Sequence, residues 1–256
     1  DTPTNAYNKN ESKINIAGFD ALYSLFENAP PNVEDLILKS LEIFYEKLKE
    51  TYDGKQGLED KDKEFQSFLC LCLQTILNRI SSHMDEVIAD KIVEQIIDCF
   101  KSREEVFEEG FLLLSALCSK FETYMDKHVP ALGPFIIHAL SQEDSSETIK
   151  NACGLISDLC TMVESQSIIE GFEEYVPHLL KILTNRSLQR DAKLGAVTAI
   201  GDTYLITKDK FLPFLDDALK YFSSAAEQCV DINIADYDLV EYIRRLQGAL
   251  IESYTC

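Results

Sequence analysis

Apolar residues recur every three or four positions along nearly the whole chain, and no segment alternates convincingly with period two. That pattern predicts amphipathic helices and no sheet. Between 148 and 164, Ile149, Ala152, Ile156, Leu159, Cys160 and Val163 make one stripe; between 236 and 254, Val240, Ile243, Leu246, Leu250 and Tyr254 make another. The periodicity places eleven helices at about 14–28, 32–52, 63–81, 84–101, 103–124, 126–142, 146–164, 169–185, 188–206, 209–230 and 236–255. Turn chemistry separates them. Pro30 and Pro31 precede the second helix, and Asp53-Gly54 with Gly57 opens a polar connection before the third. Ser145 is the expected N-cap of the seventh, without a full capping box because Thr148 stands three residues on.

Three first helices superpose: LLLSALC at 112–118, GLISDLC at 154–160 and TAIGDTY at 198–204, whose starts are 42 and 44 residues apart. The following helices share HVPALGPFIIHAL at 128–140 and YVPHLLKIL at 175–183. Pro130 and Pro177 are expected early in those helices, where a missing amide hydrogen costs little. A period of this length suggests two-helix repeats of the HEAT or armadillo type, each of which buries part of its apolar surface only by stacking on its neighbours. The fold class expected is therefore all-α, a HEAT-repeat superhelical solenoid (an alpha-alpha superhelix) of about five helix pairs plus one extra helix. The expected division is a polar N-terminal edge at 1–13, HEAT repeats at 14–54, 63–101, 103–142, 146–186 and 188–231, and the first helix of a further repeat at 236–256. A last helix without its partner, and a start at Asp1 without Met, lead to the expectation of a segment cut from something longer.

Composition sharpens this picture. Gly and Pro together make 17 of 256 residues, which leaves few tight turns. With 24 Lys and Arg against 44 Asp and Glu, the net charge is −20, so a nucleic-acid partner would be repelled. The 46% hydrophobic content excludes disorder as the meaning of that acidity. The longest run without an acidic or basic side chain, His128 to Gln142, has 15 residues, and no membrane span is expected. The stretch DTPTNAYNKNESK has no apolar core and resembles neither a signal nor a transit peptide.

Candidate chemistry is sparse. Cys70 and Cys72 are two apart, Cys153 and Cys160 seven apart on one helix, and Cys99, Cys118, Cys229 and Cys256 are isolated. No CxxC pair occurs, and His83, His128, His138 and His178 have no zinc-ligand spacing, so no metal site is expected. The thiols read as reduced, mostly buried small apolar side chains, which suits cytosol or nucleus. There is no GxxxxGK[ST] loop, GxSxG elbow or HExxH helix, and Asp53-Gly54-Lys55-Gln56-Gly57 is only a polar loop. Neither an enzyme activity nor a cofactor is expected.

The strings DYDLVEYIRRLQGALIESYT at 236–255, EFQSFLCLCLQTILNRI at 64–80, GLISDLC and IGDTYL closely resemble the C-terminal half of the importin-beta (karyopherin-beta) family, in order and with few gaps from Ala17 to Thr255. The resemblance implies a nuclear import receptor found in cytoplasm, nucleus and at the nuclear pore and nuclear envelope. It implies as partners the basic N-terminal segment of importin alpha and basic cargo proteins on the concave face, phenylalanine-glycine nucleoporins on the outer face, and RanGTP as the releasing factor. The family's N-terminal Ran-contacting repeats and its acidic loop have no match here, so those functions are expected to be weakened or absent in this segment. The alternative is a general HEAT scaffold that assembles other subunits, with its acids serving solubility.

The clearest charged pattern is Glu86, Asp90, Glu94 and Asp98, strictly four apart. At helical spacing these acids drift across about 120° of surface, centred roughly 130° from the stripe Ile88, Ala89, Ile92, Val93, Ile96 and Phe100. Like charges so spaced repel, costing a few tenths of a kcal/mol per pair, so the ladder is either kept for a basic partner or is an ordinary solvated face. Ile97 lies at its edge as an apolar foothold. A second ladder, Glu42, Glu46 and Glu50, shares its side with Lys39, Lys47 and Lys49, and local pairing is the expected purpose. A third cluster, Asp231, Asp236, Asp238 and Glu241, surrounds a helix start, where capping competes with partner binding as its explanation. Asp158 and Asp202 hold matching repeat positions and are expected to hydrogen-bond within or between repeats. For the outer face, Leu155, Leu159, Val197 and Tyr204 are candidates for phenylalanine slots, with core burial the competing reading.

Overall fold

The computed structural model describes residues 17–18, 20–53, 60–228 and 237–255, and among these every regular element is helical. A first helix, α1, covers 20–27. It is followed by α2 (Glu34–Asp53), α3 (Asp60–Arg79), α4 (Glu86–Ser102), α5 (Phe107–Phe121), α6 (Val129–Ser141), α7 (Ser146–Thr161), α8 (Gln166–Thr184), α9 (Arg190–Thr207), α10 (Leu212–Gln228) and α11 (Tyr237–Thr255). Short 3-10 turns at Pro31–Val33, Glu104–Val106, Glu122–His128 and Lys208–Phe211 lie between them. Two compact units result, Asp1–Lys120 and Phe121–Cys256.

In the first unit α2 packs on α3 and touches α4. The α2 stripe Ile37, Leu41, Phe44 and Leu48 is buried, and Phe26 of α1 meets Phe44 edge-on with centroids 5.8 Å apart. Phe100, Phe107 and Phe111 cluster where α4 meets α5, at 4.6 to 5.6 Å. Gly110 is required there, since a Cβ would lie 2.4 Å from the Phe100 ring. Glu34, in the first turn of α2, ties down the turn before α4: its carboxylate accepts from the Ser81 amide at 2.8 Å, the Ser82 amide at 2.6 Å and the Ser81 hydroxyl at 2.8 Å. These bonds hold its pKa down to about 2, because each favours the charged form.

The second unit is built in two layers. First helices stack on first helices, α7 on α9 and α9 on α11, while second helices α6, α8 and α10 stack likewise, and α8 also packs on α9. The sequence register survives into the packing. Leu113, Leu155 and Ala199 are all buried, as are Leu114, Ile156 and Ile200, and Leu117, Leu159 and Thr203. Bonds between neighbouring pairs span a similar distance in sequence. The Ser187 hydroxyl donates to the Glu143 carbonyl at 3.0 Å, and the Gln189 amide donates to Ser146 Oγ at 3.0 Å. Asp126 Oδ1 accepts from the Ser165 hydroxyl and from the Ser167 amide, fixing the start of α8.

Several expectations need correction. The helix expected at 103–124 begins as a 3-10 turn and becomes α-helical only at Phe107, and it ends at Phe121 because Glu122 takes a left-handed φ of 45°. Ser145 holds the N-cap position of α7 but makes no capping bond with its side chain. Pro177 lies well inside α8, not early in it, because that helix starts at Gln166; the burial of Phe172, Val176 and Leu179 outweighs the lost backbone bond. Tyr254 is exposed instead of sharing the α11 stripe; it leans on Phe222 at 5.9 Å. The six described cysteines, Cys70, Cys72, Cys99, Cys118, Cys153 and Cys160, are free and buried, whereas Cys229 and Cys256 lie outside the described residues. Among the described residues no helix is long and apolar enough to cross a membrane.

Candidate functional site

The acidic ladder sits on α4, which starts when Asp85 Oδ1 accepts the Val87 amide at 3.0 Å. Its apolar face is sealed: Ala89, Ile92, Val93, Ile96, Cys99 and Phe100 are buried, with Ile88 partly so. The opposite face is less uniform than the spacing suggested. Glu86 and Glu94 are exposed, but Asp90 and Asp98 are half-buried, since a shorter side chain keeps its carboxylate closer to the helix. Asp98 is also paired with Lys101 at 3.0 Å. Ile97 is half-buried at the edge, beside Asp98. The ladder is thus a pair of free-standing glutamates alternating with two shielded aspartates, one of them already partnered by a lysine. A cation from a partner would meet Glu86 and Glu94 first.

The other acidic groups divide. On α2, Glu50 pairs with Lys47 at 2.9 Å, the local pairing expected for that ladder. Asp238 and Glu241 are exposed in the first turns of α11, while Asp231 and Asp236 lie outside the described residues. Asp202 on α9 is half-buried, and burial raises its pKa; the buried Ser157 hydroxyl on α7, which makes no hydrogen bond of ordinary geometry, opposes that rise. Leu155 and Leu159 are buried core side chains, and Val197, also largely buried, reaches only the floor of the cleft between α9 and α11. Tyr204 borders a small apolar cavity of about 100 Å³ with Phe211, Leu215 and Tyr254, at the junction of α9, α10 and α11. Among the described residues, no group of three or more His, Cys, Asp or Glu side chains is arranged around a metal position.

A feature that the sequence reading missed is a basic cleft of about 470 Å³ where the C-terminal ends of α8 and α10 meet the N-terminal parts of α9 and α11. Arg186, Arg190 and Lys193 stand on it, with the Arg190 guanidinium 5.5 Å from the centroid of the Tyr242 ring. The signal was present in the run NRSLQRDAK at 185–193, the only stretch near α9 where cations outnumber acids three to one. In a chain of charge −20 the run is masked by the surrounding acids.

A family profile described as "Importin subunit beta-1-like, TPR repeats" matches residues 3–256, nearly the entire chain. The chain belongs to the importin subunit beta-1-like family. Importin subunit beta-1 of Arabidopsis thaliana is 24% identical over 253 residues, covering 96% of this chain and 29% of that protein. Among solved structures, importin beta crystallised from ammonium sulfate superposes with a TM-score of 0.78 at 21% identity, over 95% of this chain and 29% of that one. A Kap95:Nup1 complex and a Kap95p structure with RanGDP each match with a TM-score of 0.72 at 21% identity, over 92% of this chain and 28% of theirs. The chain therefore spans about 29% of the length of the importin beta-1 relatives it matches, and its fold is that of an importin-beta HEAT-repeat solenoid. The repeat period of 42 to 44 residues agrees with HEAT units better than with the ~34 residues of a TPR, although both are antiparallel helix pairs.

Proposed function

We propose that this chain is a segment of a nuclear import receptor which contributes partner-binding surface and no chemistry of its own. In this reading the acidic face of α4 receives the basic N-terminal segment of importin alpha or a basic cargo protein, with Glu86 and Glu94 as leading contacts, Asp90 and Asp98 behind them, and Ile97 as an apolar edge. Asp231, Asp236, Asp238 and Glu241 form a second acidic contact region. Phenylalanine-glycine nucleoporins bind the outer face, RanGTP regulates the whole receptor, and the protein moves between cytoplasm and nucleus through the pore. The repeat limits follow the division at 14–54, 63–101, 103–142, 146–186 and 188–231.

The observation that carries this reading is the match of the importin beta-1 profile to residues 3–256. Supporting it are the exposed Glu86 and Glu94 on a helix whose opposite face is fully packed, and the nucleoporin and Ran complexes of the structural relatives. Attraction between such a face and an Arg- and Lys-rich segment is charge-assisted, fast and salt-sensitive.

Titrating a labelled Arg- and Lys-rich importin-alpha N-terminal peptide against the chain at rising salt tests the acidic face. Binding at low salt that weakens with salt, and that falls when Glu86, Asp90, Glu94 and Asp98 are replaced by Ser, supports it. No binding at low salt, or binding indifferent to those substitutions, leaves a general HEAT scaffold as the better description. For the outer face, immobilised phenylalanine-glycine repeats should retain the chain weakly, and serine-for-phenylalanine repeats should release it; equal retention rejects that site.

A further inference from the structure

The basic cleft of the second unit has the opposite charge to the rest of the chain. Arg186 and Arg190 are exposed and Lys193 is half-buried, and among the described residues no carboxylate lies within ion-pair distance of any of the three. The nearest candidate by sequence, Asp191, is already engaged by Arg245 at 3.2 Å. Three clustered cations with no carboxylate partner among the described residues stand out in a protein with 44 acidic residues, and they are open to an anion from outside. Beneath them the wall changes character: Val197, Ile243 and Leu246, each almost fully buried, form an apolar floor. A cavity of about 470 Å³ holds more than a single inorganic anion.

We propose that this cleft is a docking site for an acidic peptide segment of a partner protein that carries an apolar side chain among its carboxylates. The carboxylates pair with Arg186, Arg190 and Lys193, the arginines offering forked donors suited to carboxylate geometry. The apolar side chain enters toward Val197, Ile243 and Leu246. Tyr242, already under the Arg190 guanidinium, holds that cation in place over the opening. The site is independent of the α4 ladder and selects partners of opposite charge, so one segment carries two mutually exclusive electrostatic specificities.

The test uses a fluorescein-labelled peptide of alternating aspartate and glutamate around one central leucine, titrated against the chain by anisotropy at two salt concentrations. Binding that weakens with salt, and that drops at least tenfold in the R186E/R190E/K193E variant, is the expected result. Circular dichroism and the melting temperature check that the variant is folded; the R186E/R190E variant, changed only at exposed positions, should still lose several-fold if the triple variant is unstable. The E86S/D90S/E94S/D98S variant should bind this peptide as well as the parent does, which separates this site from the proposed adaptor site. Unchanged binding by R186E/R190E overturns the proposal. So does equal binding of a peptide with asparagine and glutamine in place of its acids, which would show that the carboxylates are not recognised, or of one with serine in place of leucine, which would reveal a non-specific anion site. A low-salt dimer seen by sedimentation and abolished in R186E/R190E would also overturn it, because the cleft would then take the acidic face of a second copy.

Discussion

Glu122 and Glu164 stand 42 residues apart and share a left-handed backbone, with φ of 45° and 51°. Lys208, 44 residues further on, has φ of 50°, and no other described non-glycine residue has a positive φ. Each follows a first helix, α5, α7 or α9, at the point where the chain turns toward its second helix. After α7 the Ser165 amide returns to the Leu159 carbonyl, six residues back, at 3.0 Å, closing a turn in which Glu164 is the left-handed residue. The repeat is thus a repeat of backbone conformation as well as of apolar positions, and it is met by residues that pay a steric penalty where glycine would not.

Lys208 is the most strained of the three, since its ψ of −123° lies outside the ordinary left-handed well. Lys208→Gly should raise stability by about 1 kcal/mol, the relief of strain exceeding the added freedom of the unfolded chain. Chemical denaturation of the two proteins would measure it, and a lower midpoint for the glycine variant would show that the turn is not strained.

Gly201 on α9 faces Ser253 on α11 so closely that a Cβ would lie 2.5 Å from Ser253 Oγ and 3.1 Å from its Cα. Alanine favours a helix interior over glycine by roughly 1 kcal/mol, but here the backbone of the neighbouring first helix would have to move. Gly201→Ala should therefore destabilise the chain by about 1–3 kcal/mol. Hydrogen exchange should show the loss concentrated in α11, and uniform exchange along the chain would contradict the close-contact argument.

The Glu34 carboxyl, held at about 2 against an ordinary 4.5, makes stability depend on pH in a defined window. A depressed carboxyl pKa contributes stability that is complete above the unfolded value and is lost as pH falls toward the folded one. Glu34→Gln should lower the melting temperature near neutrality, and the gap between the two proteins should shrink from about pH 4.5 downward and nearly vanish near pH 2. Parallel melting curves across that range would refute the tie to the Ser81 and Ser82 amides.

Burial pushes five of the thiols upward, Cys99 to about 11 and Cys72 and Cys160 to about 12, with Cys70 and Cys153 also raised. At pH 8 a thiol reagent should leave Cys70, Cys72, Cys99, Cys118, Cys153 and Cys160 unmodified in the native chain and modify all of them in denaturant. Peptide mapping by mass spectrometry would read this, and rapid native labelling of any of the six would contradict their burial.

Much of the fold was legible because helical periodicity is local: the stripe Ile149, Ala152, Ile156, Leu159 and Cys160 already states which side of α7 is covered, and all five are buried. Helix ends were less legible, since the 3-10 start of α5 and the interior Pro177 of α8 depend on packing by residues remote in sequence. The site was partly legible. Spacing put Glu86, Asp90, Glu94 and Asp98 on one side of α4, but whether each carboxylate reaches solvent depended on side-chain length and on Lys101. The basic cleft was hidden because Arg190 and Tyr242 are 52 positions apart and meet only when α9 stacks on α11.

The amino-acid sequence by itself determined that the chain is helical, that its units repeat every 42 to 44 residues, and that its surface is acidic, because these follow from periodicity and composition along a line. Only the tertiary structure decided which charges remain available to a partner and where cations gather against the overall sign of the chain. Those depend on distances between repeats, and stacking sets such distances through contacts that no single repeat contains.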